Sequence, residues 1–446
     1  MPMAKGVGPE RVLQIGEGRF LRGFVDWILA QLQRQGRYDG RVVVVFPRSA
    51  NPAAREAWNR QQGQFSVVVC GIEAGHPVFR IDPVRVVSRT IDPHREWIAF
   101  LDTATLPTME VLISNTTEAG LVWLDEGYVA DQAPQSVAGK ITAWLYRRFQ
   151  AFNGAADRGM EIVPCELIDQ NGTTLRTLVL RYAEAWHLPA AFRQWVTEAN
   201  RFYNTLVDSI VTSWVDDGSH PELSEDALAV VREPYYRWLL EGPPTLGERW
   251  HLTRDAGLAV DFVPDLEPYR ELKVRVLNGA HTAMAGLGLL MGLSTVREAV
   301  THRTMASFID ALLRREVLPT LAAHGIAESE VTAFIETVLE RFSNPYLVHR
   351  LEDIQLNADW KVYTRLWPSW QDYHNLTGHV PPLLTLAMAG QKRWLETQGT
   401  DNPFAAWPLG EAARDLLDAA VQAASDDLRT SPESAIGHTL NQTIGS

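Results

Sequence analysis

Cysteine is nearly absent: Cys70 and Cys165 are the only two in 446 residues. A disulfide framework is therefore not expected, and a zinc site built on four cysteines is impossible. The chain holds no HExxH, no Gly-x-Ser-x-Gly and no GxxxxGK[ST] pattern, and its twelve histidines show no metal-ligand spacing. That removes the motif-bearing metalloproteases, serine hydrolases and P-loop enzymes, and no metal is expected. Positive charge is in deficit, with a formal net charge of −13. Nucleic acid is thereby excluded as a partner, because phosphate binding rests on clustered Lys and Arg. Long apolar runs are missing too. The longest, residues 283–293, is about half the roughly 20 residues a membrane helix needs, so no membrane partner is expected. Residues 1–10 lack the apolar core of a signal peptide, and a reducing, cytoplasmic setting is the expectation.

What is present has an ordinary globular balance, 46% hydrophobic and 21% charged, on a chain long enough for two domains. The first half alternates β-rich runs with helical stretches. Residues 11–15, 42–46 (four consecutive valines), 109–113 and 160–164 read as buried strands. Residues 65–70 and 84–87 read as extra strands, with a hairpin as one pairing open to them. Strands separated by helices point to a parallel, doubly wound sheet. The second half changes character. Val331, Phe334, Ile335, Val338, Leu339 and Phe342 recur at helical spacing, and Pro345 ends that stripe. Further helical patterns cover 281–293, 304–318, 383–395 and 410–426, and no convincing strand follows residue 265. The expected fold is an α/β Rossmann-type domain over residues 1–265 followed by an all-α domain over 266–446.

Three motifs carry chemistry. Gly16-x-Gly18 follows the first strand and opens a helix. Glycines there let a pyrophosphate approach the backbone, and the helix N-terminus supplies amide donors. The full fingerprint wants a third glycine at position 21, where Leu21 stands, and Gly23 comes two residues late. A tight strand-to-helix turn is the bland alternative. The second strand ends in Phe46-Pro-Arg48-Ser49, without the acidic residue that binds ribose hydroxyls. Arg48 can accept a 2′-phosphate or stand as a solvated charge, so NAD against NADP stays open on residues alone.

The second motif is Lys273-Val-Arg-Val-Leu-Asn278-Gly-Ala-His281. Asn278 and His281 share a helix face at i, i+3. Lys273, five residues before Asn278, would sit roughly 140° away at ~100° per residue, unless the helix begins near it or its stem curls back. Converged, the three suit hydride transfer at a secondary alcohol. Lysine exchanges the hydroxyl proton, the amide holds the oxygen, and histidine orients the substrate. Such a lysine needs a pKa near ~7–8, which burial beside Val274, Val276 and Leu277 could help provide. A polar helix start, with Lys solvated, Asn capping and His packed, is the bland alternative. The third motif, Cys165-Glu-Leu-Ile-Asp-Gln-Asn171-Gly172, reads most simply as a turn. At the end of a strand in such a sheet, Asn171 would also stand at the mouth of the ligand crevice. The fifteen tryptophans, with Trp360, Trp367 and Trp370 clustered, could stack on sugar rings or serve as core anchors.

Taken in order, these segments resemble a known family. Leu13-Gln-Ile-Gly-Glu-Gly-Arg-Phe-Leu-Arg-Gly-Phe-Val-Asp-Trp27, Ser114-Asn-Thr-Thr-Glu-Ala-Gly120, Pro164 to Gly172, Asn204-Thr-Leu-Val-Asp-Ser-Ile210, Pro268 to His281 and Arg341-Phe-Ser-Asn-Pro345 resemble the long-chain mannitol dehydrogenase family. Residues 349–365 resemble its tagaturonate-reducing branch. The resemblance implies a Rossmann-type domain, a helical domain and an active site between them, working without metal. It implies Lys273 as general acid/base, Asn171 and Asn278 as oxyanion-stabilising amides, and His281 as a substrate-positioning group. Gly16, Glu17, Gly18, Arg19, Phe20, Leu21, Asn115, Thr116 and Asp208 would line the cofactor, with NAD carried over from the branch. Ser209 stands where that branch has Arg. The implied reaction interconverts tagaturonate and altronate. The neighbouring alternatives are fructuronate/mannonate and mannitol/fructose, and a remote one is a nucleotide-binding regulator that has lost catalysis. A hexuronate partner needs cations for its carboxylate, and Arg275, Lys361 and Arg365 are the candidates. Oligomeric state is not legible in the sequence.

Overall fold

The computed structural model describes residues 8–73, 75–116, 120–215, 218–346, 348–401, 403–429 and 431–444. Residues 1–7, and Thr117, Glu118 and Ala119 of the segment 114–120, lie outside the described residues. Contacts divide the chain into two units, residues 1–70 with 78–266, and 71–77 with 267–446.

The first unit is built on a six-stranded sheet: β1 (Glu10–Ile15), β2 (Arg41–Val45), β3 (Val87–Ile91), β4 (Val111–Ser114), β5 (Glu161–Pro164) and β6 (Arg201–Phe202). Their spatial order is β3-β2-β1-β4-β5-β6 and every pairing is parallel. The valine runs explain it. Side chains alternate across a strand, so Val12, Val42, Val44, Val111 and Ile113 enter one core, and Leu13, Ile15, Val43, Val45 and Leu112 enter another. A sheet buried on both faces reads as continuous β-branched sequence, the mark of parallel strands under helices.

One face is covered by a continuous helix over residues 19–34 (α1), which contributes Leu21, Phe24, Val25, Ile28 and Leu29. The other is covered by α2 (Val137–Ala151) and α3 (Asn171–Ala185), through Ile141, Trp144, Leu175 and Val179. Strand order reverses between β1 and β4, and the crevice beyond the carboxyl ends of such a pair is where open α/β sheets take ligands.

Two smaller sheets accompany the parallel one. One orders Val211–Ser213, Val230–Arg232, Phe65–Glu73 and His76–Val84; the other orders Val260–Val263, Arg237–Glu241 and Asn204–Asp208. Residues 84–87 do not form one strand, as expected from their valines. Val84 ends a strand of the four-stranded sheet and Val87 starts β3, because the chain changes sheets at Arg85 and Val86.

Over residues 267–444 the second unit is helical, with no named strand among the described residues of that range. It comprises α4 (residues 267–290), α5 (303–323), α6 (Glu328–Phe342), α7 (Ala358–Arg365), α8 (Pro382–Thr397) and α9 (Glu411–Leu428), with further helices such as Trp367–Thr377 between them and Pro432–Ile444 after them. One core joins Val276, Met284, Leu312, Val331, Ile335, Trp370, Leu384 and Val421. The stripe read from sequence is the buried face of α6, which stops at Phe342, three residues before Pro345. Trp367 and Trp370 are stacked core residues, and Trp370 donates to Thr385 Oγ1 at 2.8 Å, while Trp360 is exposed. No described helix is long and apolar enough to cross a membrane.

Candidate active site

The glycine loop lies at the carboxyl end of β1. Gly16 has φ +133°, and a Cβ there would stand 2.7 Å from the Asn115 carbonyl oxygen and 2.9 Å from Leu21 Cδ1. No other residue fits that close approach of β1 to β4. Gly18 is different: its backbone is extended, it caps α1, and a Cβ would meet nothing within 4 Å. Open space over Gly18 at the start of a helix is the room and the polarity a pyrophosphate requires.

The remaining loop residues divide by exposure. Arg19 is exposed and donates to Ser213 Oγ at 2.8 Å. Phe20 stacks on Phe24 with centroids 4.8 Å apart. Leu21, expected to line a cofactor, has its side chain wholly buried in the core, so only its backbone can face a ligand. Burial lifts the Glu17 carboxyl above its usual range, against the pull of Arg22 and Arg48. Arg48 itself is exposed just beyond β2.

Beneath the loop, Gln14 Nε2 donates to the Gly16 carbonyl at 3.1 Å and to Asp26 at 3.3 Å. Neither Gln14 nor Asp26 is exposed, and burial pushes the Asp26 carboxyl up to about 7. At the end of β4, Asn115 Nδ2 donates to the Cys165 carbonyl at 2.6 Å. A buried Glu166 accepts from Ser114 Oγ at 3.0 Å and from both the amide and the hydroxyl of Thr116 at 3.1 Å. Sequence reading passed over Glu166, Gln14 and Asp26, although all three lie inside the segments it quoted. Asp208 is buried at the end of its strand, across from Arg237, and Ser209 Oγ donates to the Tyr235 carbonyl at 3.1 Å.

Asn171 corrects the expectation made for it. The Asn-Gly pair is no hairpin turn but the first turn of α3. The Asn171 amide nitrogen lies 3.0–3.2 Å from the carbonyl oxygens of Pro164, Glu166 and Thr205 and from Thr205 Oγ1. Its oxygen accepts from Gly172 N at 2.9 Å and Thr205 N at 2.8 Å. A carboxamide has two N–H donors, and both are spent inside the unit. Asn171 therefore clamps the ends of β5, α3 and the strand Asn204–Asp208.

In the helical unit, α4 is not α-helical throughout. Residues Lys273–Asn278 form a π-helical turn, in which the Gly279 amide donates to the Val274 carbonyl five residues back. With i→i+5 bonding, residues five apart stand one above the other. Lys273 and Asn278 thus share a face, and His281, i+3 from Asn278, continues it into Gly279–Leu290. Lys273 and Asn278 are half-buried.

His281 is 7% exposed, with its ring 4.4 Å from that of Phe342 and 4.7 Å from that of His349. Burial, together with the positive charge of His349, Arg341, Arg365 and Lys361, holds its imidazole well below the usual range. Its Nε2 is buried without a hydrogen-bond partner. Arg365 donates to Thr282 Oγ1 at 3.4 Å, and Lys361 Nζ to the Ile354 carbonyl at 2.9 Å.

Of the three cations singled out in the sequence, Lys361 and Arg365 therefore stand by His281. Arg275 does not: it is buried in ion pairs with Glu271 and Asp372. Arg341 and His349 were passed over, although both stand within the segments quoted for the resemblance. Among the described residues no group of three His, Cys, Asp or Glu is placed to hold a metal ion.

The model of the mannitol dehydrogenase Rossmann domain matches residues 10–254, and that of the mannitol dehydrogenase C-terminal domain matches residues 265–427. The altronate oxidoreductase of Halalkalibacterium halodurans is 41% identical over 400 residues, covering 89% of this chain and 77% of that protein. The altronate oxidoreductase of Bacillus subtilis is 42% identical over 386 residues, covering 85% and 78%. In fold, the chain is similar to Pseudomonas fluorescens mannitol 2-dehydrogenase, solved with NAD and D-mannitol. There the TM-score is 0.72 at 21% identity, covering all of this chain and 96% of that one. It is also similar to a D-sorbitol dehydrogenase, with a TM-score of 0.77 at 20% identity, covering 97% and 95%.

Proposed function

The chain belongs to the mannitol dehydrogenase family, and from that membership we propose that it interconverts tagaturonate and altronate with NAD as the redox partner. The observation that carries this reading is the π turn that sets Lys273 and Asn278 on one face with His281, in a chain about 40% identical to altronate oxidoreductases.

When bound, NADH supplies the hydride that reduces a ketone carbon to a secondary alcohol. Lys273 gives the proton that the new alkoxide oxygen needs, and takes it back in the reverse direction. Asn278 donates to the same oxygen as its charge develops. His281, held neutral, directs its Nε2 to a neighbouring hydroxyl. Asn171 acts as a positioning residue, since its amide is already spent on the backbone. The room over Gly18, the start of α1 and the end of β4 form the cradle for the dinucleotide.

The test is a reductase assay with NADH and NADPH on tagaturonate, fructuronate and fructose. Tagaturonate with NADH should give the highest kcat/KM, and preference for fructose would overturn the substrate assignment. Lys273→Ala should lose at least ~10²-fold in kcat while NADH still binds. Near-normal turnover in that variant at neutral pH would end the mechanism.

A further inference from the structure

The first unit holds a second opening, away from the glycine loop. A cavity of about 580 Å³ lies at the amino ends of β4, β5 and β6, bordered by Glu110, Glu161 and Arg201. The dinucleotide cradle is at the carboxyl ends of the same sheet, and no residue assigned to cofactor or reaction lines the cavity. Five guanidinium groups reach its wall, although the chain as a whole carries −13.

Three of these cations are matched by carboxylates. Arg158 lies 3.5 Å from Asp157, Arg201 3.7 Å from Glu161, and Arg249 3.3 Å from Glu161 and 3.7 Å from Glu110. The other two are not. Arg148, at the end of α2, is 1% exposed, and its hydrogen bonds go to the carbonyls of Ala104, Leu106, Met109 and Arg158. Those four bonds leave one of its five N–H donors over. Burial, with Arg158 nearby, presses its guanidinium down to about 10. Arg176, half-buried on α3, has no carboxylate within ion-pair reach. Acceptors stand on the same wall. Glu161 spends Oε1 on its two arginines and keeps Oε2 buried without a partner. Glu198 is exposed and accepts from Gln194 at 3.1 Å, so water screens its charge.

A buried cation without a counter-charge costs free energy that an anion in the cavity offsets. Guanidinium forks suit phosphate and carboxylate alike, but two unmatched cations are balanced by a dianion and not by a single carboxylate. A cavity of this size is built for a whole metabolite rather than a bare ion, and carboxylates on its wall accept from hydroxyls. We propose that the cavity is a second small-molecule site, which takes the phosphate monoester of a sugar or polyol. Its phosphate sits between Arg148 and Arg176 and its hydroxyls lie among the carboxylates. The ester binds together with NADH, since the two sites occupy opposite ends of the strands.

Calorimetric titration of the NADH-saturated protein with D-glucose 6-phosphate tests the assignment, the NADH keeping the ester out of the dinucleotide cradle. D-Glucuronate, with a carboxylate in place of the phosphate-bearing carbon, and inorganic phosphate are the comparison ligands. The ester should bind with a Kd below about 1 mM, and roughly tenfold or more tighter than either comparison ligand. Arg176→Met removes one unmatched cation without breaking an ion pair. It should weaken the ester roughly tenfold or more and leave NADH affinity unchanged. Three results overturn the proposal: no binding of the ester at about 10 mM, binding no tighter than that of inorganic phosphate or D-glucuronate, or equal binding by the wild type and folded Arg176→Met.

Discussion

Two glycines two positions apart have opposite duties. At Gly16 a Cβ would press on the Asn115 carbonyl and Leu21 in a backbone of φ +133°. Gly16→Ala should therefore destabilise the protein by about 1–3 kcal/mol. At Gly18 a Cβ meets nothing within 4 Å and the backbone is ordinary. Gly18→Ala should leave stability within about 0.5 kcal/mol of wild type, yet weaken NADH binding at least tenfold by filling the space over the helix start. Urea unfolding and fluorescence titration of both variants separate the two roles. Equal NADH affinity in folded Gly18→Ala would remove the dinucleotide from this turn. Both glycines were visible in the sequence, but their division of labour was not. It depends on Asn115, which reaches Gly16 only because β4 pairs with β1. Asn171 shows the same limit in sharper form. Its identity was readable, but the partner that occupies it, Thr205, is 34 residues away in sequence, and no local pattern announces that bond.

The elements that escape sequence reading are the π-helical turns, because one inserted residue leaves hydrophobic spacing nearly unchanged. Three occur among the described residues: Arg22–Asp26, Lys273–Asn278 and Leu312–Val317. The valine runs, by contrast, announced β1, β2, β4 and β5 to within two residues, since a strand buried on both faces leaves a continuous apolar signature. Gly23, out of step with the fingerprint, lies in the first π turn, where a Cβ would strike Val211 at 2.6 Å. The second turn resolves the roughly 140° misalignment that an α-helix would impose on Lys273 and Asn278. The third precedes Pro319, which cannot serve the carbonyl four residues back, and it carries Glu316 into the core. There the carboxylate accepts the Leu383 and Leu384 amides at 2.8 and 2.7 Å, capping α8. Burial outweighs those bonds and pushes Glu316 up to about 7 from 4.5. A carboxyl with a raised folded-state pKa stabilises most when protonated, so its contribution is full below about 4.5 and is lost as pH rises through 7. Over that window the wild type should lose roughly 3 kcal/mol that Glu316→Gln does not lose. Denaturation of both proteins at pH 5 and pH 8 measures the difference directly, and parallel pH profiles would show that Glu316 is ionised throughout.

At the scale of the whole molecule, each unit closes its own core. One helical cluster runs from Leu272 to Leu440, and two sheet-based clusters lie on the faces of the parallel sheet, with every buried member at or before residue 260. Two separately cored units need not melt together, and a single transition is then not the default. The glycine loop lies wholly in the first unit, and Lys273 with the cations around His281 lies wholly in the second. Ligands should therefore stabilise selectively. A ligand that binds only the folded form at about 100 times its Kd adds roughly 2.7 kcal/mol. NADH at that excess should raise the melting of the first unit, while D-altronate without cofactor should raise that of the second. Calorimetry resolves the two transitions, and fluorescence identifies them when a tryptophan of each core, Trp144 in the first and Trp370 in the second, is replaced by Phe. If NADH instead raised both transitions equally, the cofactor would have to draw its affinity from residues of both units, and the cradle at Gly16–Gly18 would be only part of its site.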